Sequence, residues 1–211
     1  VYVMLEKIKR GDKRIEIANL NPENVSGDDL TGGYIIKIDK WDGENVDGWY
    51  SEPQLENYSG FYYQYHYPKP DDIVSEQQEY IIDYIDNFEQ VVISENFSDP
   101  ISGYPSIIHW DSFVDFLIMQ EITKNVDGYR LSSYLYKDKD SNDGRLIAGP
   151  IWDFNLGFGN ANYDEGWDTQ GWMIDLTEHI WAEYDWYVPF WWCLIWSDER
   201  FQSSVSERWR E

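Results

Sequence analysis

The amino-acid sequence predicts an α+β fold with an N-terminal antiparallel sheet and a more helical C-terminal part. Three observations predict it. Over roughly the first 70 positions, short runs rich in β-branched and aromatic residues are separated by Gly, Pro, Asn and Asp. Beyond them, two segments repeat their apolar residues at helical spacing. Inside that helical part, the polar turn Asp138 to Gly144 joins two apolar runs that read as a hairpin.

The elements follow in order. Val1 to Ile8 reads as a strand, and Gly11-Asp12 turns it into a second extended run, Arg14 to Leu20. Tyr34 to Asp39 is a strand in which Lys37 stands between isoleucines, so that its ammonium can face a cleft. Lys40 to Tyr58, rich in Gly, Asp and Asn, reads as an insertion or flap. Phe61 to Tyr67 is a strand ended by Pro68. Ser75 and Gln78 have the spacing of a capping box, opening a helix whose stripe runs through Ile81, Ile82, Ile85, Phe88, Val91 and Val92. A second helix spans about His109 to Lys124, with Trp110, Phe113, Val114, Leu117, Ile118 and Ile122 on one stripe. A loop from Asn125 then leads into the hairpin, whose returning strand is Leu146 to Trp152. Pro189 to Trp196 is too apolar to be exposed and begins a buried helix, and Ser197-Asp198-Glu199 opens a last one. The chain reads as one domain over residues 1–211, with the sheet part over about 1–70 and the helical part over about 71–211. Because Val1 already lies inside a strand and Glu211 inside a helix, both ends are expected to be cut from a longer protein.

Composition narrows the function. With 40 acidic against 16 basic side chains the formal charge is -24, which repels nucleic acid and anionic membranes. A nucleotide site on such a chain must therefore gather its own metal and bases locally. The single Cys193 leaves no internal disulfide and no Cys-rich zinc site. No transmembrane segment is present.

The chemistry concentrates in Gly149 to Asn160, where Asp153 sits between an apolar run and glycines. In an extended backbone Asn155 would point to the same side, and two such oxygen ligands suit a hard cation, Mg²⁺ or Mn²⁺. Asp127 enters the hairpin that Asp153 leaves, so the two carboxylates are expected side by side at one edge of a pocket. With Lys37 on a separate strand, the set meets the needs of metal-assisted phosphoryl transfer. One acid orients the acceptor hydroxyl, another holds the metal, and a cation grips phosphate. The order of lysine strand, helix, loop acid, short hairpin and acid before an aromatic is also that of protein kinases. Glu76, Glu79 and Glu89 are candidate partners of Lys37.

At these residues the chain resembles the CotH kinase family, the spore-coat-type atypical kinases. Trp152-Asp153-Phe154-Asn155, running on to Phe158-Gly159-Asn160, is similar to that family's metal-binding signature. Asn125-x-Asp127 ahead of Tyr134-Leu135-Tyr136 is similar to its catalytic loop, and Tyr2 to Ile8 with Tyr34 to Asp39 to its N-terminal sheet. The resemblance spans Val1 to about Trp172. It implies an atypical protein-kinase-like fold, Mg-ATP as cofactor and co-substrate, and phosphorylation of protein Ser or Thr hydroxyls in an extracellular or cell-surface setting. In those terms Asp127 and Asn125 belong to the catalytic loop, Lys37 to the nucleotide, and Asp153 with Asn155 to the metal. Two positions depart from the pattern: Ser132 stands where a kinase loop carries its second-metal Asn, and Asn155 where many relatives carry Asp.

Two other readings stay open. One is a non-catalytic kinase-like module binding a cell-surface glycan or protein through its aromatics; the other keeps the nucleotide for adenylyl transfer or amide ligation. Trp167, Trp172 and Trp181 could form a sugar platform or roof the core. His66, His109 and His179 lack zinc-site spacing. Asp138-x-Asp140-x-Asn142 reads as an ordinary turn rather than a calcium loop.

Overall fold

In the computed structural model, residues 6–40, 47–53, 60–175 and 188–211 are described. The sheet is built around β1 (Tyr34–Ile38), which pairs antiparallel with β3 (Tyr62–Tyr67) on one side and β4 (Ser133–Lys137) on the other. β2 (Gly48–Tyr50) and β5 (Leu146–Ala148) form the edges, giving the order β2-β3-β1-β4-β5, antiparallel throughout. Four helices complete the described residues: α1 (Ser75–Val92), α2 (Trp110–Thr123), α3 (Phe190–Trp196) and α4 (Glu199–Arg208).

One face of the sheet carries the main core. Tyr34, Ile36 and Ile38 of β1 join Tyr63, Tyr65 and Leu135 in it, as period-two alternation requires. Against them α1 brings Ile81, Ile85, Phe88 and Val92, and α2 brings Phe113, Phe116 and Leu117. Trp191 and Trp192 of α3 fill the space between these helices, Trp192 stacked on Phe116 at 5.5 Å and Trp191 edge-on to Phe88 at 5.4 Å. The expected second stripe holds except at Ile122, which is 53% exposed, while Glu121 beside it is buried. The start of α1 shifts by one residue from the expected Ser75/Gln78 pair. Val74 is the capping position, and the Gln77 Oε1 accepts its N–H at 3.3 Å.

The other face is covered more thinly. Ile8, Ile15 and Ile17 pack on Ile35 and Tyr134, with Trp152 and Tyr136 at the margin. The N-terminal hairpin expected from the sequence is not a strand pair over its described part. Residues 6–20 run as irregular chain with a single bridge, Arg10 to Ile15, and Val1 to Leu5 lie outside the described residues. This cover is held by side-chain and loop contacts instead: the His66 ring bonds the Ile8 carbonyl at 3.0 Å, and the Asp138 Oδ1 accepts the Ala18 N–H at 2.8 Å. The flap expected over Lys40 to Tyr58 contains β2, where a Cβ on Gly48 would lie 1.9 Å from the Tyr63 carbonyl oxygen, so only glycine admits this pairing.

Candidate active site

Lys37 points to the thinly covered face, in register with Tyr134 of β4 and Gln64 of β3. Its Nζ lies 2.9 Å from the Asp39 Oδ2, two residues along the same strand face, and both side chains are 22% exposed. The partner is therefore Asp39 and not a helix acid. Glu89, one of the three candidates, faces the main core, where its Oε1 accepts from the Tyr63 hydroxyl at 2.8 Å and the Ser51 hydroxyl at 3.1 Å. Burial pushes its carboxyl up to about 7, against those two hydrogen bonds. Glu76 is bonded instead to the neighbouring Ser75 hydroxyl at 3.0 Å.

Asp39 also ties β1 to the loop before β4, its Oδ1 accepting the Ser132 N–H at 3.3 Å. Ser132 has a φ of 49° and redirects the chain into β4. Next to it, burial lifts the Tyr134 phenol to about 12, with the charges of Asp39 and Asp153 adding to the shift. Tyr134 is thus the group that Lys37, Asp39 and Asp153 have in common.

Asp153 has a φ of 61° and begins a 3₁₀ turn, Phe154–Leu156. This differs from the extended backbone on which the convergence of Asp153 and Asn155 was expected, so period-two alternation does not relate them. Both are exposed, and neither side chain makes a hydrogen bond or ion pair among the described residues. The turn is anchored from outside: the Phe158 N–H donates to the Thr123 carbonyl at the end of α2, and the Asn160 amide to the Asn155 carbonyl at 2.7 Å.

Asp127 lies in the loop that follows α2. Its Oδ1 is 3.2 Å from the Arg130 Nη2, which also reaches the Asp164 Oδ2 at 3.5 Å. Burial raises the Asp164 carboxyl, Arg130 lowers it, and the charge of Asp127 raises it again. Asn125 is buried beneath this loop, its Nδ2 donating to the Gln120 Oε1 at 2.9 Å while its Oδ1 is buried without a partner. Its position suits shaping the loop. No hydrogen bond or ion pair links Asp127 to Asp153 among the described residues. The β4–β5 ladder covers only Leu135–Lys137 against Leu146–Ala148, and positive-φ residues, Tyr129 and Ser132 on one side and Gly149 on the other, turn the chain between the ladder and each acid. What relates the two acids is the C-terminal end of α2, from which one loop starts and to which the other is pinned.

Glu121 strengthens that end. Buried on α2, it accepts from the Tyr129 hydroxyl at 2.6 Å and from the Met173 and Ile174 N–H groups at 2.5 and 3.0 Å. Burial raises its carboxyl, opposed by those bonds. Nothing in the sequence marks it, because a carboxylate beside the apolar stripe of a helix has the pattern of a solvent-facing residue. Asp39 was legible, since its i+2 spacing from Lys37 in a strand puts both on one face.

The profile of the family described as CotH kinase protein matches residues 1–211, the whole chain. The chain belongs to the CotH kinase family. Comparison with curated proteins and with solved structures gives no significant match. Membership of the CotH kinase family points to a kinase-like function, and its association with the spore coat fits a surface location. No helix among the described residues is long and apolar enough to cross a membrane.

In this CotH chain no group of three or more His, Cys, Asp or Glu that could hold a metal occurs among the described residues. The donors at hand, the exposed Asp153 carboxylate and Asn155 amide oxygen, are hard ligands without competing partners. They fit an Mg²⁺ that takes one or two protein oxygens and completes its shell with phosphate and water, and do not make a self-sufficient metal cage. Other motifs are structural. The Asp140 Oδ1 accepts from the buried Lys137 Nζ at 2.7 Å, so the Asp138–Asn142 turn is an internal clasp. Trp172 packs on Trp196 and Trp209 at 5.2 and 5.8 Å, Trp167 is exposed, and Trp181 and His179 lie outside the described residues.

Proposed function

We propose that this chain is a kinase-like domain, residues 1–211, that binds Mg-ATP and transfers the γ-phosphoryl group to a protein Ser or Thr hydroxyl at the cell surface. The observation that carries the reading is the Asp153 carboxylate, exposed and unpaired on a left-handed turn, whose charge acts on Tyr134 as does that of Asp39, the partner of Lys37. Bound Mg²⁺ would neutralise charge building up on the transferred phosphoryl group. Asp153 would hold the ion, with the Asn155 amide oxygen as a second donor. Lys37, kept in place by Asp39, faces the phosphate tail. Asp127, its carboxylate oriented by Arg130, would accept the hydrogen bond of the acceptor hydroxyl and take its proton as the acceptor oxygen bonds to the γ-phosphorus and the bond from that phosphorus to the β–γ bridging oxygen breaks, with ADP leaving. Ser132 offers only a hydroxyl and has its N–H committed to Asp39, which favours a single strongly held metal.

Calorimetric titration of ATP with and without Mg²⁺ tests this on wild type and Asp153→Ala. Binding that needs Mg²⁺ and is lost in the variant is expected. ATP binding indifferent to both would overturn the assignment. Mass spectrometry of the acceptor separates a phosphate from an adenylate product.

A further inference from the structure

Most bases in this acidic chain are already engaged. Lys37, Arg130, Lys137, Lys139, Arg145, Arg200 and Arg208 each sit in an ion pair, and Lys124 donates to two backbone carbonyls. Lys7, Lys9 and Lys13 are exposed, and their side chains make no ion pair or hydrogen bond among the described residues. All three line one cleft of about 410 Å³, together with Arg14, which pairs with Glu6 at the same rim. The other unpaired bases, Lys40, Lys69 and Arg210, do not line it.

The cleft floor is apolar, formed by Ile8, Ile15, Tyr136 and Trp152 among others. Lys37, Asp39, Asp127 and Asp153 are not part of its lining, yet Trp152 directly precedes Asp153. The cleft thus ends one residue from Asp153 without containing it. A triphosphate held through a metal on Asp153 needs its cations among residues that face that acid. A row of free lysines over an apolar floor, one residue beyond it, suits a longer anion with an apolar side chain. The net charge of -24 repels such a segment from the surface at large, so this cationic cleft also favours one direction of approach.

We propose that this cleft docks an acidic segment of the acceptor protein, with an apolar side chain of the segment seated against Trp152 and Tyr136 and its carboxylates on Lys7, Lys9 and Lys13. The word acceptor rests on the phosphoryl-transfer reading; the binding itself does not.

The experiment is fluorescence anisotropy with a labelled peptide of Asp and Glu around a central Phe and a Ser, beside a counterpart with Lys in place of the acids. Each is measured at about 50 mM and about 500 mM salt, where screening differs strongly. The expected result is binding of the acidic peptide alone, weakened at high salt and at least about tenfold weaker in Lys7→Glu/Lys9→Glu/Lys13→Glu, a loss typical of removing several charge contacts. The neutral triple variant Lys7→Gln/Lys9→Gln/Lys13→Gln should fall between, and circular dichroism of both variants checks folding. Mg-ATP titration runs alongside and should not change in either variant. No binding of the acidic peptide to wild type overturns the proposal, as does a loss confined to Mg-ATP affinity, which would make the cleft a nucleotide site. Peptide binding with no Mg-ATP binding to wild type would keep the docking site and overturn the kinase reading instead.

Discussion

The two faces of the central sheet use the same strands for different ends. On one, Tyr34, Ile36, Ile38 and Tyr63 disappear under helices and two buried tryptophans, and the acid that shares this space, Glu89, is pushed toward its neutral form. On the other, Ile35 and Tyr134 are covered by an irregular segment, and Lys37 and Asp39 remain partly in water as an ion pair. Alternation along a single strand is enough to separate them. Packing sets the position of every residue on β1, so the charged face inherits its precision from the apolar one.

That contrast can be broken from either side. The largest effect is expected from Asp127→Asn, which should lower phosphoryl transfer by about 10²–10⁴-fold, the range for loss of a positioned base, while leaving thermal stability and Mg-ATP affinity unchanged. A radioactive transfer assay and a melting curve read the two. On the packed face, Trp191→Ala removes a side chain in contact with Phe88 and Phe113 and leaves the Tyr63 hydroxyl without its indole donor. A loss of about 3–5 kcal/mol is expected from urea denaturation.

Glu89 gives a pH signature. Its carboxyl is raised to about 7 from an ordinary 4.5, so between those values the folded chain holds a proton that the unfolded chain has released. Stability contributed by the neutral form is complete below about pH 4.5 and falls as pH rises to about 7, by on the order of 3 kcal/mol at most. Glu89→Gln should remove that slope in denaturation curves taken from pH 5 to 8. A small stability effect is expected from Asp39→Asn. An ion pair that keeps contact with water contributes about 0–1 kcal/mol, so melting should hardly move. The Mg-ATP affinity, however, should change as Lys37 loses its restraint. Equal effects of Asp39→Asn and Trp191→Ala on stability would erase the distinction between the faces.

Where hydrophobic period and punctuation agreed, the fold was legible. β1, β3, α1, α2 and both hairpin strands fall where Ile35–Ile38, Pro68, Ile81–Val92 and Asp138–Gly144 put them. Over its described part the N-terminal segment differs from the expected hairpin because Arg14 to Leu20 alternates like a strand while Ile15, Ile17 and Leu20 are buried by packing onto a finished sheet. β2 was hidden because its pairing depends on the missing Cβ of Gly48 and not on β propensity. At the site, residue types and order indicated Lys37, Asp127 and Asp153. Asp39 could be paired with Lys37 from their i+2 spacing in a strand, whereas Asp164 looks like any surface charge until the loops bring it to Arg130. Buried carboxylates such as Glu89 and Glu121 escape any reading that assigns charge to the outside.

The hydrogen bond from the Phe158 N–H to the Thr123 carbonyl joins the turn that begins at Asp153 to the helix end from which the Asp127 loop departs. A shared foundation of this kind links two occupancies energetically. Whatever steadies the metal-side turn also reduces the freedom left to the acceptor-side loop, so each ligand should tighten the other by an equal factor. Ordered filling of the two halves of the site would then come from one backbone contact, without any hinge between domains.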